Sequence, residues 1–241
     1  MTDNKALHTE QSIDQKKELV NLKDKEVIIF DLDGTLINSI PDLTLAINKT
    51  LSHYELQPLT IEQVTPFIGN GAKTLVQRSL EKAAGKKVSA DFLNEALNFF
   101  IPCYQSNVCE ETYLYGGVFE TLKYLDEKGY QLVICTNKPF PFVEPILNKL
   151  NIKAFFKTWI GEASLPEKKP QGTPLLYLAQ QMNSSTEKCI MVGDSKNDIL
   201  AAQNAGMQSI GLTYGYNYNE NIEDYNPTIV LESFSNLQKV L

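Results

Sequence analysis

The chain has 241 residues, enough for one large domain or for a core carrying an insertion, and 43% of them are hydrophobic, enough to build a core. A net charge of −7 without a basic block argues against a nucleic-acid groove. No apolar run approaches the roughly 20 residues of a membrane span, and the polar N-terminus lacks the apolar centre of a secretory leader, so a cytoplasmic protein without a membrane partner is expected.

Residues 1–24 read as a solvated extension with a short helix near residues 19–22. Val27–Phe30 is a short apolar run that ends in two aspartates and the turn residues Gly34 and Thr35, the pattern of a buried strand. Side chains alternate along a strand, so Asp31 and Asp33 leave its end on the same side, where their repulsion calls for a cation, a proton or a polar site. Pro41, Leu43, Ile47, Leu51 and Tyr54 mark an amphipathic helix. Thr60 and Gln63 form a capping box, Ala72 to Ala83 carry a second apolar face, and Ser89 caps a third helix that Pro102 should kink or end. Residues 41–111 therefore read as helical throughout.

Beyond them, strands and helices alternate. A helix around Val118, Leu122 and Leu125 stops at Gly129. The strand QLVIC ends at Thr136 and Asn137, a helix spans about 140–150, and a strand lies near 158–160. Thr173 and Pro174 read as the cap and first residue of a helix. CIMVG ends at Asp194, a helix begins near Lys196, and strands at 209–213 and 228–231 precede a last helix at 234–241. This order predicts an α/β fold: a doubly wound, mostly parallel, Rossmann-like sheet formed by residues 25–40 and 112–241, with an all-helical cap, residues 41–111, inserted after the first strand.

In such sheets ligands bind outside the carboxyl ends of the strands. Asp31, Asp33, Thr136, Lys169, Asp194 and, one helical turn on, Asp198 all fall there. Carboxylates, a hydroxyl and a lysine at one sheet edge suit a hard cation such as Mg²⁺ together with a phosphoryl group. The chain has two histidines, His8 and His53, neither at a strand end, which disfavours imidazole-based hydrolysis and histidine-rich zinc sites. The four cysteines form no CxxC pair; Cys135 and Cys189 read as core residues.

FDLDGT, the strand ending in Thr136, Lys169 before Pro170, and GDSKND at residues 193–198 resemble, in order and context, the four motifs of the haloacid dehalogenase superfamily. The resemblance implies Asp31 as a nucleophile that forms an aspartyl-phosphate, and Asp33 as the acid and then the base. It implies Thr136 and Lys169, assisted by Asn137, as holders of the phosphoryl oxygens. Mg²⁺ would be bound by Asp31, Asp194 and the backbone carbonyl of Asp33, with Asp198 orienting a metal-bound water or Lys169. Asp33 favours a phosphatase over a dehalogenase, while a β-phosphoglucomutase-like mutase keeps it too.

FIGNGAKTLVQRSL, GDSKNDILAAQNAGM and LTYGYNYNE resemble the phosphoglycolate phosphatase branch over residues 26–241, so the implied substrate is a small phosphate ester, 2-phosphoglycolate first. A sugar phosphate, a nucleotide or pyrophosphate is the alternative. One departure stands out: Gly172 occupies a position where that branch carries proline, which suggests a looser loop after Lys169. Gly69, Asn70 and Gly71 read either as an anion site at a helix N-terminus, with Lys73 assisting, or as a plain turn. Arg78, the sole arginine, falls on a helix flank. A phospho-receiver, which is shorter and lidless, and a non-catalytic binding protein on the same scaffold are the readings from other classes.

Overall fold

The structure, a computed structural model, describes residues 22–241. The helix expected near residues 19–22 lies outside them except for Leu22, which is buried. In chain order, strand β1 (Val27–Phe30) is followed by a two-residue strand β2 (Ile37–Asn38). Four helices come next: α1 (Ile40–His53), α2 (Ile61–Val64), α3 (Ala72–Ala84) and α4 (Ala90–Gln105). After strand β3 (Tyr113–Leu114) come α5 (Val118–Glu127), β4 (Gln131–Pro139), α6 (Val143–Lys149), β5 (Phe156–Glu162) and α7 (Thr173–Gln181). The chain closes with β6 (Cys189–Gly193), α8 (Lys196–Asn204), β7 (Gln208–Leu212), β8 (Ile229–Leu231) and α9 (Leu237–Val240).

Six strands form one sheet in the order β5-β4-β1-β6-β7-β8, and every pairing is parallel. The period-2 alternation of the three central strands splits their side chains between two cores. Ile28 and Phe30, Leu132 and Ile134, and Ile190 and Val192 face one. Val27 and Ile29, Val133 and Cys135, and Cys189 and Met191 face the other. A strand apolar on both faces is stable only between two neighbours and under helices on both sides. Each such side chain contributes on the order of 1.5–3 kcal/mol when fully buried. This is why β1 sits in the middle, and why its carboxyl end opens where the strand order reverses.

The four helices pack on one another, chiefly α1 and α3 against α4, through Ile47, Leu51, Leu75, Leu80, Ala96 and Phe100, all buried. The Thr60–Gln63 capping box forms in both directions, and the Ser89 hydroxyl accepts the Phe92 N–H at 3.2 Å. The expected break at Pro102 does not occur: α4 continues to Gln105. Pro102 gives up the bond its N–H would make to the Asn98 carbonyl, but the helix carries on across it, and its own carbonyl accepts the Ser106 N–H at 3.0 Å.

Three local features differ from the sequence reading. β4 runs four residues past Cys135, so Thr136 and Asn137 lie within the strand, where its pairing with β5 slips in register. α7 is capped by Gly172, with Thr173 as its first residue. An added Cβ at Gly172 would stand 2.6 Å from the Asn204 carbonyl carbon, so this glycine lets the loop seat directly on the end of α8, and the loop is tight where a loose one was expected. Finally, β2 and β3 form an antiparallel ribbon where the chain leaves the sheet and returns. The buried Asp42 carboxylate fastens it, accepting from Glu111 N–H at 3.0 Å, Thr112 N–H at 2.9 Å and the Thr112 hydroxyl at 2.6 Å.

Candidate active site

Asp31 extends β1 by one ladder bond, its N–H donating to the Val192 carbonyl at 3.0 Å. This places its carboxylate between the ends of β4 and β6, and 7% of the residue remains accessible. Lys169 reaches the same point from the loop after β5. Its ammonium lies 2.9 Å from Asp31 Oδ1 and 2.6 Å from Asp198 Oδ1. The approach to Asp31 is off the line of a hydrogen bond, so Asp31 Oδ1 is buried without a hydrogen-bond partner. The other oxygen of Asp198 accepts the N–H and hydroxyl of Ser195 at 3.0 and 2.9 Å, the capping box of α8. Asp198 is thus engaged at both oxygens and anchors Lys169.

Asp194, at the end of β6, is 1% exposed. Its Oδ1 accepts from the Thr35 hydroxyl at 2.6 Å and its Oδ2 from the Tyr216 N–H at 2.7 Å. The backbone turns tightly around it. Gly34, at φ +93°, passes so close that an added Cβ would stand 2.3 Å from Asp194 Oδ2, which explains the glycine that follows the second aspartate.

Carboxylate oxygens of Asp31, Asp194 and Asp198 lie within 4.8 Å of one another. Burial pushes the Asp31 carboxyl up to about 7, against the pull of Lys169 and with a further push from Asp198. Burial, then Asp198 and Asp31, hold Asp194 well above the ordinary carboxylate range. Burial opposes the charge on Lys169, but Asp198 and Asp31 outweigh it and raise the ammonium pKa. Three carboxylates facing one lysine leave negative charge in a buried space, and one oxygen there has no donor. An all-oxygen set with that deficit fits a hard divalent cation.

Asp33 faces another way. Its carboxylate accepts from the Ser39 hydroxyl at 2.6 Å and from the Lys138 ammonium at 3.0 and 3.1 Å. Of the residues singled out in the sequence, Asp31, Lys169, Asp194 and Asp198 form one cluster, with Asp33 beside it. Thr136 and Asn137 are buried at the end of β4. The Thr136 Oγ1 accepts the Lys138 N–H at 3.1 Å, and Asn137 Nδ2 donates to the carbonyls of Lys169 at 2.9 Å and Gly69 at 3.0 Å.

The turn at Gly69, Asn70 and Gly71 does come down over the sheet edge, held there by groups the sequence reading passed over. Asn197 Nδ2 donates to the Gly69 carbonyl at 3.0 Å, and Lys168 Nζ to the Asn70 carbonyl at 2.9 Å. Lys168 also meets Glu162 at 2.6 Å. The Ala72 N–H at the start of α3, which an anion would use, faces Glu162 Oε2 at 3.4 Å. Lys73 is exposed, and the Arg78 guanidinium lies 5.9 Å from the centre of the Tyr218 ring. Lys138 was the clearest omission. A lysine two places beyond Thr136 shares its side of the strand, and that alternation was the available signal.

The sequence model of the haloacid dehalogenase-like hydrolases matches residues 28–212. The chain belongs to this family. Its relatives include a phosphoglycolate phosphatase of Colwellia psychrerythraea, 46% identical over 222 residues, covering 90% of this chain and 97% of that protein. A phosphoglycolate phosphatase of Haemophilus influenzae is 42% identical over 219 residues, covering 90% and 98%. Among solved structures, a predicted phosphoglycolate phosphatase from Haemophilus somnus superposes with a TM-score of 0.86 at 40% identity, covering 90% of this chain and 98% of that one. The chain is therefore a haloacid dehalogenase-like hydrolase and an enzyme of the phosphatase kind. No helix among the described residues is long and apolar enough to cross a membrane.

Proposed function

We propose that this hydrolase cleaves a small phosphate monoester, 2-phosphoglycolate, to glycolate and phosphate through an aspartyl-phosphate on Asp31, with residues 41–111 as the lid. One observation carries the reading: the two aspartates at the end of β1 stand in different surroundings. Asp31 offers an unpartnered oxygen beside Lys169, as a nucleophile must. Asp33 is held apart by Ser39 and Lys138, on the side open to a leaving group.

In this reading an Asp31 oxygen attacks phosphorus and the bond to the ester oxygen breaks. Asp33 delivers a proton to that oxygen. Asp33 then takes a proton from a water that attacks the phosphorylated Asp31, the bond from phosphorus to Asp31 breaks, and phosphate leaves. Lys169 and the Thr136 hydroxyl, with Asn137, hold the phosphoryl oxygens, and Asp198 keeps Lys169 in place. Mg²⁺, held by Asp31, Asp194 and the Asp33 carbonyl, would supply positive charge to the phosphoryl oxygens as charge shifts among them. The relatives' names support the choice of 2-phosphoglycolate.

The test is phosphate release from 2-phosphoglycolate, sugar phosphates, nucleotides and pyrophosphate, with Mg²⁺ and with chelator. A preference for 2-phosphoglycolate that chelator abolishes is expected. Metal-dependent activity spread evenly over the panel would overturn the substrate and keep the chemistry.

A further inference from the structure

Next to Asp33, between the sheet edge and the helices, lies a cavity of about 30 Å³. That is room for about two waters, the scale of a carboxylate. Its walls are mostly apolar, with Leu43, Ile68, Leu75, Phe100 and Phe142 among them. Three of its lining side chains carry a polar group: Asp33, Lys138 and Tyr104.

Two of these are donors with capacity left over: the ammonium has three N–H groups, and Asp33 engages it at 3.0 and 3.1 Å. The Lys138 side chain is 2% exposed, and the sequence pays the desolvation of an ammonium here. Asp33 alone does not demand it, since the Ser39 hydroxyl already donates to that carboxylate at 2.6 Å. The Tyr104 hydroxyl is buried and makes no well-aligned hydrogen bond; the group that acts on it is the Lys138 ammonium, which can lend its oxygen a proton and leave its own O–H free to donate. The Lys138 ammonium stands 4.8 Å from the centre of the Tyr104 ring, so ammonium and hydroxyl border the same small space. Burial, the largest influence, pushes the Tyr104 hydroxyl up to about 12 despite the pull of Lys138, so it remains a donor at neutral pH.

We propose that Lys138 and Tyr104 form the receptor for a carboxylate on the leaving group, the ammonium and the hydroxyl each donating to one carboxylate oxygen. This rests on the phosphatase reading above and names what selects its substrate. The leaving oxygen must lie beside Asp33 to receive its proton. In 2-phosphoglycolate the carboxylate is one methylene away from that oxygen, which brings it to Lys138, the cation that touches Asp33. An ester with a neutral leaving group of the same size offers the Tyr104 hydroxyl and the remaining ammonium proton no charged acceptor, and a site built around such donors discriminates against that ligand. Lys73 is exposed and takes no part in this receptor; the selectivity sits at the floor of the cavity.

The experiment compares 2-phosphoglycolate with 2-hydroxyethyl phosphate, in which a neutral hydroxymethyl replaces the carboxylate, using wild type, Tyr104→Phe and Lys138→Met. Wild type should prefer the carboxylate. Tyr104→Phe should cut the ratio of kcat/KM values by about tenfold, mostly through KM for 2-phosphoglycolate, the loss of one hydrogen bond to a charged group. Its Tm should not fall, because the hydroxyl it removes makes no well-aligned hydrogen bond; a structural hydroxyl would lower it. Lys138→Met should cut the ratio further and also lower turnover of both esters through Asp33. Should that variant fail to fold, Tyr104→Phe carries the test alone. A wild type that prefers the carboxylate, with the ratio unmoved by either change, would refute this receptor and leave the substrate standing. A wild type indifferent to the carboxylate would refute both.

Discussion

Removing the metal should make the protein's stability depend on pH in an unusual direction. The carboxyl of Asp31 has an ordinary value of 3.8 and rises to about 7 in the fold. The folded state therefore binds this proton more tightly than the unfolded chain does. Its stabilising contribution is fully present below about pH 4 and is lost as pH rises through 7. A rise from 3.8 to about 7 corresponds to about 4 kcal/mol in total. About 2 kcal/mol of it disappears between pH 5 and 7, and little changes above that. Asp194 shifts in the same direction and adds to the trend. The assay is urea unfolding of chelator-treated protein from pH 5 to 8.5, alongside Asp31→Asn, which removes the titrating group. The wild type should lose stability relative to the variant as pH rises. Saturating Mg²⁺ should abolish that difference, because a bound cation favours the ionised form. Parallel pH profiles for wild type and variant without metal would show that burial, with Asp198 beside it, does not raise the Asp31 carboxyl, and the electrostatic case for a cation there would fail.

Two further changes test the scaffold. Gly172→Ala should destabilise by about 1–3 kcal/mol in denaturant unfolding, because its Cβ meets the backbone of Asn204 and Ala205. Asp42→Ala should cost about 2–3 kcal/mol and expose the segment around residues 106–112 to protease, since it strips the acceptor from the buried N–H and hydroxyl of Thr112 and from the part-buried N–H of Glu111.

Most of the scaffold was legible because it follows from local periodicity. The runs at 27–30, 131–135 and 189–193 are too short and too uniformly apolar to be anything but buried strands, and Asp31, Thr136 and Asp194 each lie at the end of one. The ribbon of β2 and β3 was not legible, since two residues carry no period. Nor was the partner of Asp33. Pairing of Phe30 with Ile134 carries Asp33 level with the far end of β4, where Lys138 waits 105 residues away in sequence. That meeting depends on strand register and on β4 continuing past Cys135, neither of which local pattern contains. Tyr104 went unmarked, since it lies beyond Pro102, where the helix was expected to kink or end. A hydroxyl without an aligned partner is visible only once its surroundings are.

The ribbon also bears on how such an enzyme changes over evolutionary time. Asn38 and Tyr113 are paired residues, so the two ends of the helical segment are about 5 Å apart. Any segment whose termini meet at that spacing can be spliced there without stretching the sheet, and its length is immaterial to the strands beneath. Lys138 and the carboxylate cluster belong to the invariant side of that junction, while Tyr104 belongs to the exchangeable side. A lineage that traded one helical segment for another would keep its phosphoryl chemistry intact and retain half of its carboxylate receptor, needing only a new donor above Lys138 to recover the preference.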